Sequence, residues 1–341
     1  METGTPKHKD NKKKMKLLND TIRQHYVSQV EQRMNTCTPG ADKKNQKIYV
    51  FEIDRRGTED ELHLRPAVKQ SISSNLVLED LFSFDIEPGT RLRQNFELLF
   101  GRYEHDLQNR IEQLLKKIDE RSNDISEDLI ELYKAKLMSF LRNPYSVAKV
   151  LNTFRGVHNL RPTDPVLDRT FQLVLEGRKP HQAAMCKRLG ISDDQYRQWL
   201  AVMFMVLTEM APGHKSFFES TVDGLFADTK FFVGVLICIY TEKKCLLSDR
   251  SFSTNLQSDR AEGMDFNLRH NAFIRYVFGN RRAMLPPDTA PYLLDLSEKL
   301  PPKINVYHAI DDLAQLKNFN MNVINQSHSR VFCSTDTDIL F

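Results

Sequence analysis

The sequence predicts an α+β fold, a mixed sheet built from N- and C-terminal strands with a mainly helical middle packed on it. Three observations carry this expectation. Alternating β-branched and aromatic residues mark "KIYVFEI" at 47–53. Helical apolar spacing governs the middle region from about 90 to 225. Strand-like runs return from 230 onward and close with "RVFCS" near the C-terminus. The 341 residues then divide into a basic flexible tail over 1–18 and a single α+β domain over 19–341.

In "TIRQHYVSQVEQRMN" (21–35), Tyr26, Val27, Val30 and Met34 recur at helical spacing and predict a helix over 22–35, ending before the Pro/Gly-bearing loop "TCTPGADKKNQ". After the strand at 47–53, "DRRGTED" is turn-like and "ELHLR" (61–65) can pair back as a hairpin. Phe96, Leu99, Phe100, Tyr103 and Leu107 form one helical stripe, and Ile111, Leu114, Leu115 and Ile118 form the next. Ser126 reads as the N-cap of the following helix, and Pro144 restarts it after Asn143. Residues 165–210 add two or three more helices. "KFFVGVLICIYT" (230–241) reads as a buried strand, "CLLSDRSF" as a strand end entering a loop, and "MDFNLRHNAFIRYVFGN" as one strand or a strand pair. A helix is expected at about 306–325 before the last strand. A sheet shared by both ends would bring residue 25 near residue 249.

Composition is that of a compact globular chain, with 40% hydrophobic and 27% charged residues. The net charge of +3 comes largely from the first sixteen residues, where six lysines face only Glu2 and Asp10. Such a tail can favour nucleic acid, but without aromatic residues it reads as a solvated segment. No apolar h-region follows it, so a secretory signal is not expected. The most apolar run, 231–240, is about half the roughly 20 residues a membrane helix needs, so no membrane partner is expected. Cys37, Cys186, Cys238, Cys245 and Cys333 lack short paired spacing, which argues against disulfides and a zinc cluster and for a reducing cytoplasm.

Signatures of P-loop, Rossmann, zincin and serine-hydrolase chemistry are absent. Residues 181–207 have the outline of a helix-turn-helix, with a turn at Gly190, Ser192 as N-cap and Gln195 in the capping-box position. Asp193 and Asp194 at the start of its second helix would repel phosphates, so an ordinary helical hairpin competes with a DNA reader. His25 beside Gln24 can be an acid/base with an orienting amide or a helix-start residue. Asp249, at a strand end, can serve catalysis, bind a metal or satisfy loop amides. Glu97, Glu104 and Glu112, with Gln108, fit a solvated helix surface. Asn322, Asn325 and Gln326 make an amide-rich helix end, for which capping is the ordinary explanation.

In order and spacing the chain resembles a large prokaryotic family of unknown function whose members open with Gln-His-Tyr-Val-Pro-Gln. "QHYVSQ" stands in that place, with Ser28 for proline; "KIYVFEID" follows as the family's strand and "NFELLFGRYEHDLQNRIEQLL" as its acidic helical stretch. "LLSDRSF" keeps the Ser-Asp of a later Ser-Asp-Asn-Pro-Val motif, with Arg250 and Ser251 for Asn-Pro, and "NMNVINQSHSRVF" matches a late asparagine-bearing helix and strand. The resemblance covers 22–335 and implies one domain, a bacterial or phage origin, and a site assembled from both chain ends. It implies no reaction, but points to a defence-type or toxin-like role.

The reading that follows is a cytoplasmic defence-type effector acting on nucleic acid as a phosphodiesterase. His25 would be the acid/base and Asp249 its orienter or a ligand of magnesium or manganese. Gln24 would hold the imidazole, Arg250 would contact phosphate, and Asn325 would complete the substrate-binding set. A non-enzymatic sensor of a phage or host protein, using the helical middle, is the alternative. A DNA-binding regulator acting through 181–207 is the third.

Overall fold

The computed structural model describes residues 21–54, 63–86, 93–122, 124–211, 213–258 and 260–341. The basic tail and all but Asp54 of the 54–60 turn lie outside these. The described chain begins with β1 (Arg23–His25), α1 (Gln29–Met34), β2 (Lys47–Asp54), β3 (His63–Leu64), β4 (Val68–Ser71), β5 (Val77–Glu79), β6 (Phe84–Asp85) and β7 (Arg93–Gln94). The helical middle follows as α2 (Glu97–Glu104), α3 (Leu107–Asp119), α4 (Ser126–Arg142), α5 (Val147–Thr153), α6 (Pro165–Glu176), α7 (Gln182–Leu189), α8 (Asp193–Leu207) and α9 (Phe217–Ala227). The last third contains β8 (Phe231–Ile239), β9 (Leu247–Ser248), β10 (Ser253–Gln257), β11 (Ala261–Arg269), β12 (Ala272–Asn280), α10 (Arg281–Met284), α11 (Pro291–Lys299), β13 (Ile304–Ile310), α12 (Leu313–Gln326) and β14 (Arg330–Cys333). The fold is α+β.

The two chain ends do share a sheet, in the order β3-β2-β14-β9, with β4 also paired to β2. β14 runs antiparallel to β2, setting Cys333 against Tyr49 and Arg330 against Glu52. The strands of the last third form a further five-stranded sheet in the order β10-β11-β12-β8-β13, antiparallel except for the β8–β13 pair. Alternation along β8 divides its side chains between two cores. Val233, Val235 and Ile237 join the large core under the helical middle, and Cys238 joins a smaller one with Phe319, Val323 and Phe51. All five cysteines are free thiols.

Local chemistry sets the element boundaries, and three differ from expectation. The helix expected over 22–35 is shortened because Arg23–His25 pair antiparallel with Val77–Glu79. The Ser28 hydroxyl then accepts from the Glu31 N–H at 3.1 Å and starts α1. Ser126 is the first helical residue of α4 rather than its cap, a place taken by Ile125 with no side-chain bond. The helix expected from 306 starts at Leu313: Ile304–Ile310 extend alongside β8, and the Asp312 carboxylate caps α12 by accepting from the Ala314 and Gln315 N–H groups. The Asn143–Pro144 restart and the Ser192/Gln195 capping box form as expected. Gly190, at φ +66°, supplies the left-handed turn between α7 and α8.

A buried polar cluster ties α1, α4 and β11 together. Glu31 and Lys136, 1% and 0% exposed, form an ion pair at 2.7 Å. Lys136 Nζ also donates to the Asn267 carbonyl at 2.6 Å, and Ser139 Oγ donates to Glu31 Oε2 at 3.1 Å. Asn35 and Asn267 exchange amide hydrogen bonds at 2.8 and 3.1 Å. Removing one member of a buried pair strands the other charge, which typically costs about 3–5 kcal/mol. We therefore expect Lys136→Met to lower the unfolding free energy by about 3 kcal/mol or more in denaturant titrations. A loss below about 0.5 kcal/mol, the scale of an ordinary surface substitution, would contradict this.

Candidate functional site

The composite site expected from the two chain ends is rearranged. Consecutive residues of a strand point to opposite faces, so Gln24 and His25 on β1 part company. Gln24 is fully buried, donates to Ser83 Oγ at 2.7 Å and accepts from the Phe82 N–H at 2.6 Å. It holds the loop after β5 and not the imidazole. Asp249 is 1% exposed, and its carboxylate accepts from the His328, Ser329 and Arg330 N–H groups at 2.8, 2.8 and 3.0 Å. Burial still holds it above the usual carboxylate range, against those three bonds.

No hydrogen bond joins Asp249 to His25 among the described residues. The ends meet through the next residue instead: Tyr26 packs edge-on against Tyr145 at 5.7 Å, Tyr145 stacks on His328 at 3.8 Å, and the Tyr26 hydroxyl feels the Asp249 charge. Arg250 is half-buried, with its N–H bonded to Ser248 Oγ at 3.0 Å. Asn325 is exposed on α12, away from the Asp249 bonds. Among the described residues, no group of three His, Cys, Asp or Glu side chains could hold a metal ion.

His25 belongs to a different constellation. The Gln29 amide nitrogen lies 2.8 Å from His25 Nε2, and the Gln29 carbonyl oxygen accepts from Arg33 Nη2. That second contact orients the amide, so its NH₂ donates to the imidazole and leaves the ring neutral with its proton on Nδ1. Burial depresses the His25 pKa to about 4, partly opposed by the Asn75 main chain and reinforced by the charges of Arg142, Arg23 and Arg33.

Across from it, α2 presents Glu97, Phe100 and Glu104 along one stripe. Arg142, at the end of α4, spans them, with Nη2 at 2.5 Å from Glu104 Oε1 and its guanidinium 5.4 Å from the Phe100 ring centre. Burial pushes Glu97 up to about 7, with Arg142 opposing and Glu104 adding to the shift. Burial also raises Glu104, against Arg142. Glu112 and Gln108 form an exposed pair at 2.8 Å, so the solvated-surface reading holds for them and fails for Glu97 and Glu104.

Arg33 Nε and Arg142 Nε are buried without a hydrogen-bond acceptor and Glu97 Oε1 without a donor, while the His25 ring bonds the Asn75 main chain. Unsatisfied buried polar groups are uncommon, and the Arg33 and Arg142 guanidinium groups both act on His25. On the same face of β1 as His25, Arg23 lines a surface cavity of about 540 Å³ with Glu79, His181 and Arg188. The segment 181–207 does not present a free recognition helix. Tyr196 and every residue from Trp199 to Leu207 are buried in the core.

The pKa shifts set two opposed stability trends. His25 is lowered on folding, so its contribution is present above its ordinary 6.5 and is lost progressively as pH falls through about 4. Glu97 is raised, so its contribution is present below its ordinary 4.5 and is lost as pH rises through about 7. Arg142 holds both groups down, and Arg142→Met should move both NMR titration midpoints upward. A downward move of either, or none in both, would show that they do not share its field. Comparison with family models, with curated proteins and with solved structures finds no match to this chain.

Proposed function

We propose that the chain is a cytoplasmic, defence-type effector that acts on nucleic acid as a phosphodiesterase, with its reacting centre at Glu97, Glu104 and Arg142. The supporting observation is the stripe of two carboxyl groups with raised pKa values flanking one buried arginine, with unsatisfied guanidinium nitrogens on Arg142 and Arg33. A phosphodiester needs donors for its non-bridging oxygens and a base for the attacking water, and these groups would supply both. The resemblance to the family opening with Gln-His-Tyr-Val-Pro-Gln supports the defence-type setting. Among the described residues no helix is long and apolar enough to cross a membrane.

Seven helical steps take Glu97 to Glu104, or about 10 Å along the axis. A phosphoryl group over Arg142 would sit between them in line. Ionised Glu97 takes the proton of the attacking water as the new P–O bond forms. The bond to the sugar oxygen breaks, that oxygen takes its proton from water, and a phosphomonoester and an alcohol result, while Glu104 stays paired with Arg142 and holds it over the phosphoryl group. Arg33 and Arg142 donate to the non-bridging oxygens. His25, bonded to Gln29 and to the Asn75 main chain, changes from the expected acid/base to a structural group. Arg23, His181 and Arg188 in the adjoining cavity are placed to receive neighbouring phosphates.

The sensor alternative would use the same cavity without turnover. In the regulator alternative, the exposed first turn of α8 carries Asp193 and Asp194, and its remaining length is core.

Hydrolysis of single-stranded RNA and DNA in chelator decides between turnover and binding. We expect cleavage that rises with pH through a midpoint near 7, where Glu97 ionises. Glu97→Gln should reduce kcat by about 10²–10⁴-fold, the usual worth of a positioned acid/base. Intact substrates at every pH, with and without added magnesium or manganese, or a fully active Glu97→Gln variant, would overturn the assignment.

A further inference from the structure

The segment that carries Arg142 into the candidate site continues outward to the surface. Asn143 ends α4 and turns the chain: its amide donates to the Asp249 carbonyl at 2.9 Å, and its side-chain oxygen accepts from the Tyr145 N–H at 3.0 Å. Tyr145 is thereby set beside the loop between α12 and β14, where its ring lies flat on that of His328, 3.8 Å away and 9° from parallel. Asp249 holds the other half of this stack, because its carboxylate accepts from the His328, Ser329 and Arg330 N–H groups and so shapes the turn on which His328 stands. His328 is exposed, so the two stacked rings end at the surface.

Cations border the same place. The Ser251 N–H donates to the Ser248 carbonyl at 3.0 Å and closes a tight turn in which Ser251 takes a left-handed φ of 64°. Lys149 on α5 is exposed, and its pKa is lowered by desolvation and then by the charge of Arg250, which lies inside that turn. Two like charges in one another's field repel, and a phosphate between them removes the repulsion. Arg330, also exposed, reaches Glu52 only at 3.8 Å, a weak surface pair. Flat rings at the surface beside cations suit a single strand of nucleic acid, whose base lies on the aromatic face while its backbone runs over the charges. In a duplex the bases are stacked on one another and their faces are not available.

We propose that the Tyr145–His328 stack, flanked by Lys149 and Arg250, is a platform for one base of a single-stranded nucleic acid, with the adjoining phosphates on the two cations. This rests on the nucleic-acid reading above and deepens it by naming single strands as the substrate class. Tyr145 follows Arg142 by three residues, so a strand stacked here lies next to the proposed reacting centre.

Fluorescence anisotropy with a short labelled oligodeoxythymidylate, bound to the full-length Glu97→Gln chain, reads the platform apart from turnover. His328→Ala should weaken that complex about tenfold or more, the usual scale for losing one base stack, and His328→Phe should keep it. An abasic strand of the same length carries the charges without the bases; it should bind more weakly than the thymidylate and be indifferent to His328→Ala. Lys149→Ala should weaken both strands and reduce the slope of log affinity against log salt by about 0.7, the share of one single-strand contact. Equal affinity of the parent and His328→Ala chains for the thymidylate would overturn the proposal. So would loss of the abasic strand in step with it, or a duplex bound as tightly as the single strand. Hydrolysis of methyl p-nitrophenyl phosphate by the wild-type chain keeps the two readings distinct. A chain that cuts this small diester but binds the strand without regard to His328 retains the reacting centre and loses the platform. One that binds the strand through His328 and cuts nothing retains the platform and loses the reacting centre.

Discussion

The Glu31–Lys136 ion pair is the contact on which the rest of the arrangement depends. Both groups are out of water, so neither charge is tolerable without the other and without the hydrogen bonds that complete it. Those bonds come from separate parts of the chain. Lys136 belongs to the helical middle, Glu31 to the first helix, the Asn267 carbonyl to the main sheet, and Ser251, 3.5 Å from Glu31 Oε2, to the loop after Asp249. One pair thereby fixes the positions of four segments that apolar packing alone would leave free to slide.

The same face of α4 then builds the candidate site. Lys136, Ser139 and Arg142 follow one another at intervals of three, so the helix that anchors Glu31 with its middle turns presents a guanidinium at its end. Arg142 is nearly fully buried and is matched by Glu104, while Glu97 and His25 sit in its field. The result is a half-buried site with positive charge, a neutral imidazole and a carboxyl group titrating near neutrality. Such perturbation gathers where proteins do chemistry, although structural ion pairs produce it too. The Arg33 and Arg142 nitrogens without acceptors are the groups an anion would meet there.

Much of this fold was legible in the sequence, for physical reasons that also explain the omissions. "KIYVFEI", the β11–β12 pair and the capping box at Ser192 announce themselves through alternation and local hydrogen bonding, which need no tertiary partner. β1 and β13 were absorbed into predicted helices because their few residues continue a helical apolar spacing, and only pairing with distant strands makes them extended. The Gln24–His25 pairing was misread because adjacent side chains on a strand diverge. Glu97 and Glu104 looked like a solvated face, since the arginine that recruits them lies on another helix. A signal did exist in α4: with Leu132, Tyr133, Ala135, Met138, Phe140 and Leu141 all buried, the helix is apolar nearly all round, so Lys136 and Arg142 had no solvated face to occupy.

The central claim is that Arg142, Glu97 and the donors of Arg33 form one anion site coupled to a proton. Calorimetric titration with inorganic phosphate near pH 7, repeated in buffers of different ionisation enthalpy, tests it directly. A bound anion beside Glu97 raises its pKa further, so the account requires phosphate binding to take up protons, and Glu97→Gln to bind phosphate without that uptake. Binding with no proton uptake in the wild-type chain, or uptake that persists unchanged in Glu97→Gln, would contradict it.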